Sequence, residues 1–162
     1  MMKENFKKIR KNKGFVIFYA VTLATIFLSI ALSVASVALK EIKFGSSAKD
    51  TNNAFYAADA GVECALLYDK TGAYFVSGNY SINCNNNNNV TAIENPSKFW
   101  TFAISQLNSD KLGCVKITMD KTSGVPPLNT ITANGYNSGG GILGVCNPSP
   151  TSAVERELTT SY

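Results

Sequence analysis

Polarity along this chain is distributed unevenly. Residues 14–39, GFVIFYAVTLATIFLSIALSVASVAL, carry no charge, whereas residues 1–13 carry Lys3, Lys7, Lys8, Arg10, Lys11 and Lys13 against one acid, Glu4. As a helix rising about 1.5 Å per residue, the apolar run reaches roughly 39 Å, enough to cross a hydrocarbon core of about 30 Å. It is longer than the apolar region of a secretory signal, about 7–15 residues. Basic flanks stay on the cytoplasmic side of a membrane, so residues 1–13 are predicted inside and 40–162 outside. A simple uncleaved anchor explains the hydropathy. However, the run also holds Thr22, Thr25, Ser29, Ser33 and Ser36, with small residues four apart at Ala20/Ala24, Ser29/Ser33 and Ala31/Ala35. That spacing lets helices approach closely and hydrogen-bond across the contact.

The helical pattern continues past the apolar run. Phe55, Ala58, Val62 and Leu66 recur at i, i+3, i+7 and i+11 and predict a core-facing stripe. Ala54, Ala57, Ala60, Gly61 and Ala65 keep the surface around it shallow. One helix is therefore expected from about 14 to 69, with a weak point at Gly45-Ser46-Ser47. Beyond it the period changes to two. Residues 114–119 alternate as a half-buried strand, DKTSGVPP at 120–127 is a turn-rich link, and 128–136 returns. Residues 154–162 read as a last strand that puts Arg156 on the apolar side or at its margin. Tyr74-Phe75-Val76 and Tyr80-Ser81-Ile82 read as short strands, and Asn85 to Asn89 as an exposed loop. Lys98 to Leu107 fits a helix or a strand equally. Gly139-Gly140-Gly141 reads as a flexible loop, because no strand and following helix frame it as a phosphate cradle.

The architecture expected is α+β: a long N-terminal helix, apolar in one half and amphipathic in the other, on a small antiparallel sheet of about four strands with long loops. Its parts are a basic leader at 1–14, a membrane or filament-core helix at 15–39, an amphipathic continuation at 40–69 and a globular β domain at 70–162.

At this point the residues resemble a known family. A basic leader, Gly14 before the aromatic Phe15, and a long apolar helix are similar to the prepilin signal of type IV pilins and type II secretion pseudopilins. The segment 54–63, AFYAADAGVE, resembles a box found in PilX-type minor pilins. The segments 131–137 and 154–158 are weaker matches. The resemblance implies cleavage after Gly14 by a prepilin peptidase, N-methylation of Phe15, and passage from the membrane through a pilus assembly platform into a filament of similar subunits. Phe15, Tyr19, Ala20, Ala24, Ala31 and Ala35 would then lie in the filament-core helix. One departure stands out: Tyr19 occupies the fifth mature position, where most pilins carry Glu, and no acid occurs in 14–40. A buried ammonium without a partner is costly. Such a subunit fits most easily where it receives no neighbour's terminus, as at a tip.

Charge and composition narrow the function further. The chain is +4 overall, but the leader holds six of the fifteen bases and one of the eleven acids, leaving nine against ten, or −1. Nucleic-acid binding is therefore not expected. Lys111, Lys116 and Lys121 are read as a solvated face. There is no histidine, which removes the commonest general base and metal ligand. No phosphate loop occurs. No catalytic residue, metal, cofactor or small-molecule substrate is expected, and the reading is a structural protein, not an enzyme.

Cys64, Cys84, Cys114 and Cys146 all fall on the external side. Two disulfides are expected, with three possible connectivities. A four-cysteine zinc site lacks the usual paired spacing. The strand order favours Cys114–Cys146, since 136 returns opposite 114, and leaves Cys64–Cys84. Loops at 77–96 and 137–150 are expected to carry adhesion or partner contacts. The alternative is a membrane-anchored external adhesion or binding domain that never polymerises.

Overall fold

The computed structural model describes residues 13–72, 75–84, 88–95, 98–122 and 129–162. The leader at 1–12, Tyr74, Asn85 to Asn87 and most of the 120–127 link lie outside them. Helix α1 runs Lys13–Lys70, as the pattern predicts, and stays helical through Gly45-Ser46-Ser47. The chain divides into two compact units there, residues 1–45 and 46–162.

The first unit, over its described residues, is the apolar part of α1. It is long and apolar enough to cross a membrane, and none of that apolar window is buried within the chain.

The second unit contains the rest of α1 and six strands: β1 (Tyr80–Cys84), β2 (Asn88–Asn95), β3 (Phe99–Leu107), β4 (Gly113–Asp120), β5 (Thr130–Tyr136) and β6 (Glu155–Ser161). They form one sheet in sequence order, each strand antiparallel to the next. Alternation decides which side chains face inward. Trp100, Phe102 and Ile104 of β3, Val115, Ile117 and Met119 of β4, and Ile131 and Ala133 of β5 are all buried. Register aligns them in rows, such as Trp100–Met119–Ile131 and Phe102–Ile117–Ala133. The stretch 98–107, ambiguous by hydropathy, is a strand. A bulge between Ile104 and Leu107, with Gln106 in the left-handed region, lets both Ser105 and Leu107 turn inward.

Four expectations need correction. The sheet has six strands, because the Asn-rich stretch pairs: Asn88 and Asn89 belong to β2 and face Cys84 and Asn83 of β1. The segment 77–96 is therefore mostly hairpin. Phe75 and Val76 lie in a bend and not a strand. Phe75 adopts φ 56° and buries its ring beside Phe102, Trp100 and Tyr80, with centroids 6.1, 5.7 and 6.0 Å away. Burial of a Phe ring, worth about 1.5–3 kcal/mol, offsets a backbone conformation that costs about 1–2 kcal/mol.

The third correction concerns the buried face of α1. Ala54, Ala57, Ala58, Gly61 and Ala65 are buried, whereas Phe55 is 44 % exposed and Val62 and Leu66 are half-buried. At 3.6 residues per turn, this face lies about a quarter turn from the predicted one. Close approach is the reason. A Cβ on Gly61 would meet Val115 Cγ2 at 2.8 Å, and one on Gly135 of β5 would overlap the backbone of Ala54 and Ala58. Only the small face of the helix fits so near a sheet, and the larger side chains flank the contact. The fourth correction is Lys121, which is withdrawn from solvent.

Candidate functional site

Three features of the structure bear on function: the apolar segment of α1, the loop between β5 and β6, and a polar cluster near the C-terminal end of α1.

Gly14 lies in α1, and Phe15 beside it is 76 % exposed. Tyr19, Ala20, Ala24, Ala31 and Ala35 are exposed as well. The hydroxyls of Thr22, Thr25, Ser29, Ser33 and Ser36 donate to carbonyls three or four residues back, at 2.8–2.9 Å. Each polar group is thus satisfied within the helix, as a hydrocarbon environment requires. Their spacing puts the five hydroxyls on one stripe. The five alanines at 20, 24, 31, 35 and 38 form a second stripe about 180° away at 3.6 residues per turn. Bulky Val, Leu and Ile side chains separate the two. The helix therefore offers two opposed faces that a neighbouring helix could approach closely.

All four cysteines are paired, as Cys64–Cys84 and Cys114–Cys146, with Cα atoms 6.1 and 5.5 Å apart. The pairing is the one that strand order favours, and it leaves no thiolate for zinc. Cys64–Cys84 ties α1 to β1. Beside it, Tyr68 Oη accepts from Asn83 N at 2.8 Å and donates to Asn83 O at 2.9 Å. Cys114–Cys146 ties the start of β4 to the loop between β5 and β6.

That loop is held along its length. Gly140 N donates to Leu112 O at 2.7 Å, and Gln106 N donates to Gly140 O at 3.0 Å. Gly144 N donates to the buried Ser105 hydroxyl at 2.8 Å, and Asn147 N donates to Gly139 O at 3.0 Å. Gly140 is buried, and a Cβ there would press on the Gly113 carbonyl and on Cys114 Cβ. The glycine run expected to be flexible is thus a close crossing of chains. Pinned in this way, the loop exposes Ile142 (70 %), Leu143 and Val145.

The polar cluster was not apparent in the sequence. Lys121 forms an ion pair with Asp69 in the last turns of α1, and Tyr162 Oη donates to Asp69 Oδ2. Lys121 Nζ also lies 5.7 Å from the Trp100 ring centroid and 5.9 Å from that of Phe75. Burial, then the hydrogen bond to Asp69 and its charge, push the Tyr162 hydroxyl well above its ordinary value. Nothing local marks these residues. They come from the helix, the end of β4 and the end of β6, and only the fold brings them together. Lys116 stays exposed, 5.8 Å over the Tyr136 ring. Arg156 is exposed at the margin of the helix-facing side; its Nη2 donates to Thr51 Oγ1 at 3.4 Å and no carboxylate pairs with it among the described residues. Glu155 and Glu157 both accept from Asn134 Nδ2, at 2.7 and 3.1 Å.

No family model, no curated protein and no solved structure matches this chain.

Proposed function

We propose that this chain is a structural subunit of a type IV pilus or pilus-like filament, of the minor pilin or pseudopilin kind. The observation that carries the reading is the apolar segment of α1, with its two opposed small-residue faces and no burial within its own chain. A single partner helix would cover one face. Two faces on opposite sides accept two different neighbours, and such head-to-tail contacts generate open helical assemblies. The basic residues before Gly14-Phe15 supply the rest of the argument, since they resemble a prepilin leader.

In this reading the precursor sits in the cytoplasmic membrane with its N-terminus inside. A prepilin peptidase cuts after Gly14, Phe15 is N-methylated, and the assembly platform moves the subunit into an extracellular filament of other subunits. Tyr19, in place of an acid, favours a position that receives no neighbour's ammonium. The pinned apolar loop at 142–145 is the exposed surface best suited to adhesion or partner contact. The role is mechanical, without catalysis, cofactor or nucleic acid. A membrane-anchored domain that never polymerises is the competing reading.

Mass spectrometry of the N-terminus, on sheared filaments and on membranes, separates the two. Methylated Phe15 in sheared material is the expected result. A start at Met1 or Met2 confined to membranes refutes polymerisation and leaves the anchored domain.

A further inference from the structure

The Asp69–Lys121 pair is built more elaborately than an ion pair needs. Asp69's side chain is 6 % exposed and that of Lys121 18 %. Lys121 Nζ is in direct contact with Asp69 Oδ1, yet that buried oxygen accepts no hydrogen bond among the described residues. The amine is thus held against the carboxyl group without the geometry of a hydrogen bond. The rings of Trp100 and Phe75 flank the nitrogen. Two donors converge on the other oxygen: Tyr162 Oη, and Asn129 Nδ2 at 3.4 Å. The supporting backbone is fixed. Asn129 and Tyr162 exchange N–H···O bonds of 3.0 and 3.1 Å, and Lys121 N donates to Lys98 O at 3.0 Å.

We propose that Lys121 and Asp69 condense into an intramolecular amide that covalently staples the end of α1 to the end of β4. A proton passes from the Lys121 ammonium to the Asp69 carboxylate, leaving an amine and a carboxylic acid. The amine lone pair attacks Asp69 Cγ and forms the C–N bond. The C–Oδ2 bond breaks as Tyr162 Oη gives its proton to Oδ2, which takes up the proton carried by Oδ1 and departs as water, and Tyr162 Oη recovers a proton from the nitrogen. One water leaves, and no oxidant, reductant or activated donor is required. Tyr162 Oη already donates to Asp69 Oδ2, so its proton is in place on the oxygen that departs. In dilute solution, amine and carboxylate do not condense. A pre-aligned pair reacts at effective molarities on the order of 10⁵–10⁸ M. Withdrawal from water also penalises the two charges, and the neutral amide is free of that penalty.

The test is peptide mapping of the full chain, purified from membranes in detergent and reduced before trypsin treatment. The expected product is one branched peptide joining the segments that contain Asp69 and Lys121, lighter by one water and uncut after Lys121. Asp69→Asn is expected to give the same branched peptide by losing ammonia. Lys121→Arg gives only linear peptides. Tyr162→Phe lowers the linked fraction in freshly made protein several-fold. Linear peptides with cleavage after Lys121 in the unaltered chain overturn the proposal, as does a branched peptide that persists in Lys121→Arg.

Discussion

Replacing Gly135 by alanine tests the helix–sheet contact that organises the second unit. A Cβ at 135 would lie 2.9 Å from Ala58 Cα and closer still to Ala54 O and Ala58 N. These are backbone atoms of α1, so no side chain can rotate away and the helix itself must shift. Overpacking a core costs about 1–3 kcal/mol where neighbours can adjust, and a rigid backbone neighbour puts Gly135→Ala at or above about 3 kcal/mol. Two companions calibrate the effect. At Gly61 the intruding contacts are side-chain atoms, Val115 Cγ2 at 2.8 Å and Ile117 Cγ1 at 3.1 Å. Alanine there also gains about 0.8–1 kcal/mol of helix propensity, so the net loss is expected to be roughly 1 kcal/mol. Gly141 has nothing within 4 Å, and Gly141→Ala should be close to neutral. The assay is thermal unfolding of the full chain in detergent, followed by fluorescence of Trp100. Trp100 is the only tryptophan and is fully buried in this unit. A loss of about 3 kcal/mol lowers the midpoint by roughly 10 °C for a domain near this size. A Gly135→Ala midpoint within a degree or two of the Gly141→Ala value would refute the close approach, and with it the explanation of why α1 buries alanines and not Phe55.

Other expectations follow from the same contacts. The disulfides span 20 and 32 residues, so a chain-entropy account assigns about 3.3 kcal/mol to Cys64–Cys84 and about 3.7 kcal/mol to Cys114–Cys146. Cys114→Ser/Cys146→Ser should therefore lower the denaturant midpoint at least as much as Cys64→Ser/Cys84→Ser, and the reverse order contradicts that account. Ser105→Ala removes the acceptor of Gly144 N–H, at a cost of about 1–3 kcal/mol. Faster amide exchange at Gly144, with Trp100 fluorescence unchanged, is the expected signature. Burial, then Glu155 and Glu157, raise the Tyr136 hydroxyl above its ordinary value near 10. The folded state thus holds this proton more tightly than the unfolded one. The stability this represents is complete below about pH 10 and disappears as pH rises through the folded value. Tyr136→Phe should flatten the alkaline decline in the unfolding midpoint, and an unchanged slope argues against the shift.

Some of this architecture could be read directly from the chain. An uncharged run of 26 residues announces α1, and alternation over 114–119 announces β4, because burial on one side of a sheet imposes a period of two. Strand order favoured Cys114–Cys146, and Cys64–Cys84 was reached partly by elimination. The buried face of α1 was less accessible, since hydropathy ranks Phe55 above Ala54. Shape decided otherwise: glycines at 61 and 135 set a spacing that only small residues tolerate. β2 was hidden by asparagines that pair through their backbones, which no side-chain pattern reveals. Phe75 enters the core from a bend, without any periodicity to mark it. The Asp69–Lys121–Tyr162 cluster draws on three separate elements. Charged residues read singly look solvated, and only the fold brings these three together.

Both edges of the sheet are blunted. An exposed strand edge invites pairing with another sheet, and natural proteins blunt such edges with charge or cover. At β1, Tyr68 Oη occupies both the N–H and the C=O of Asn83, and the neighbouring disulfide anchors the strand to α1. At β6, Glu155, Arg156 and Glu157 stand exposed in succession. Strand addition is thus disfavoured at both ends, by side-chain capping at one and by charge at the other. Among the described residues, large apolar side chains stand open along the first part of α1 and at the pinned loop, 142–145. In the second unit the core is shallow, because the helix contributes alanines and a glycine to it. Two disulfides reinforce it at Cys84 in β1 and Cys114 in β4. With both sheet edges blunted, the apolar half of α1 remains exposed along its length.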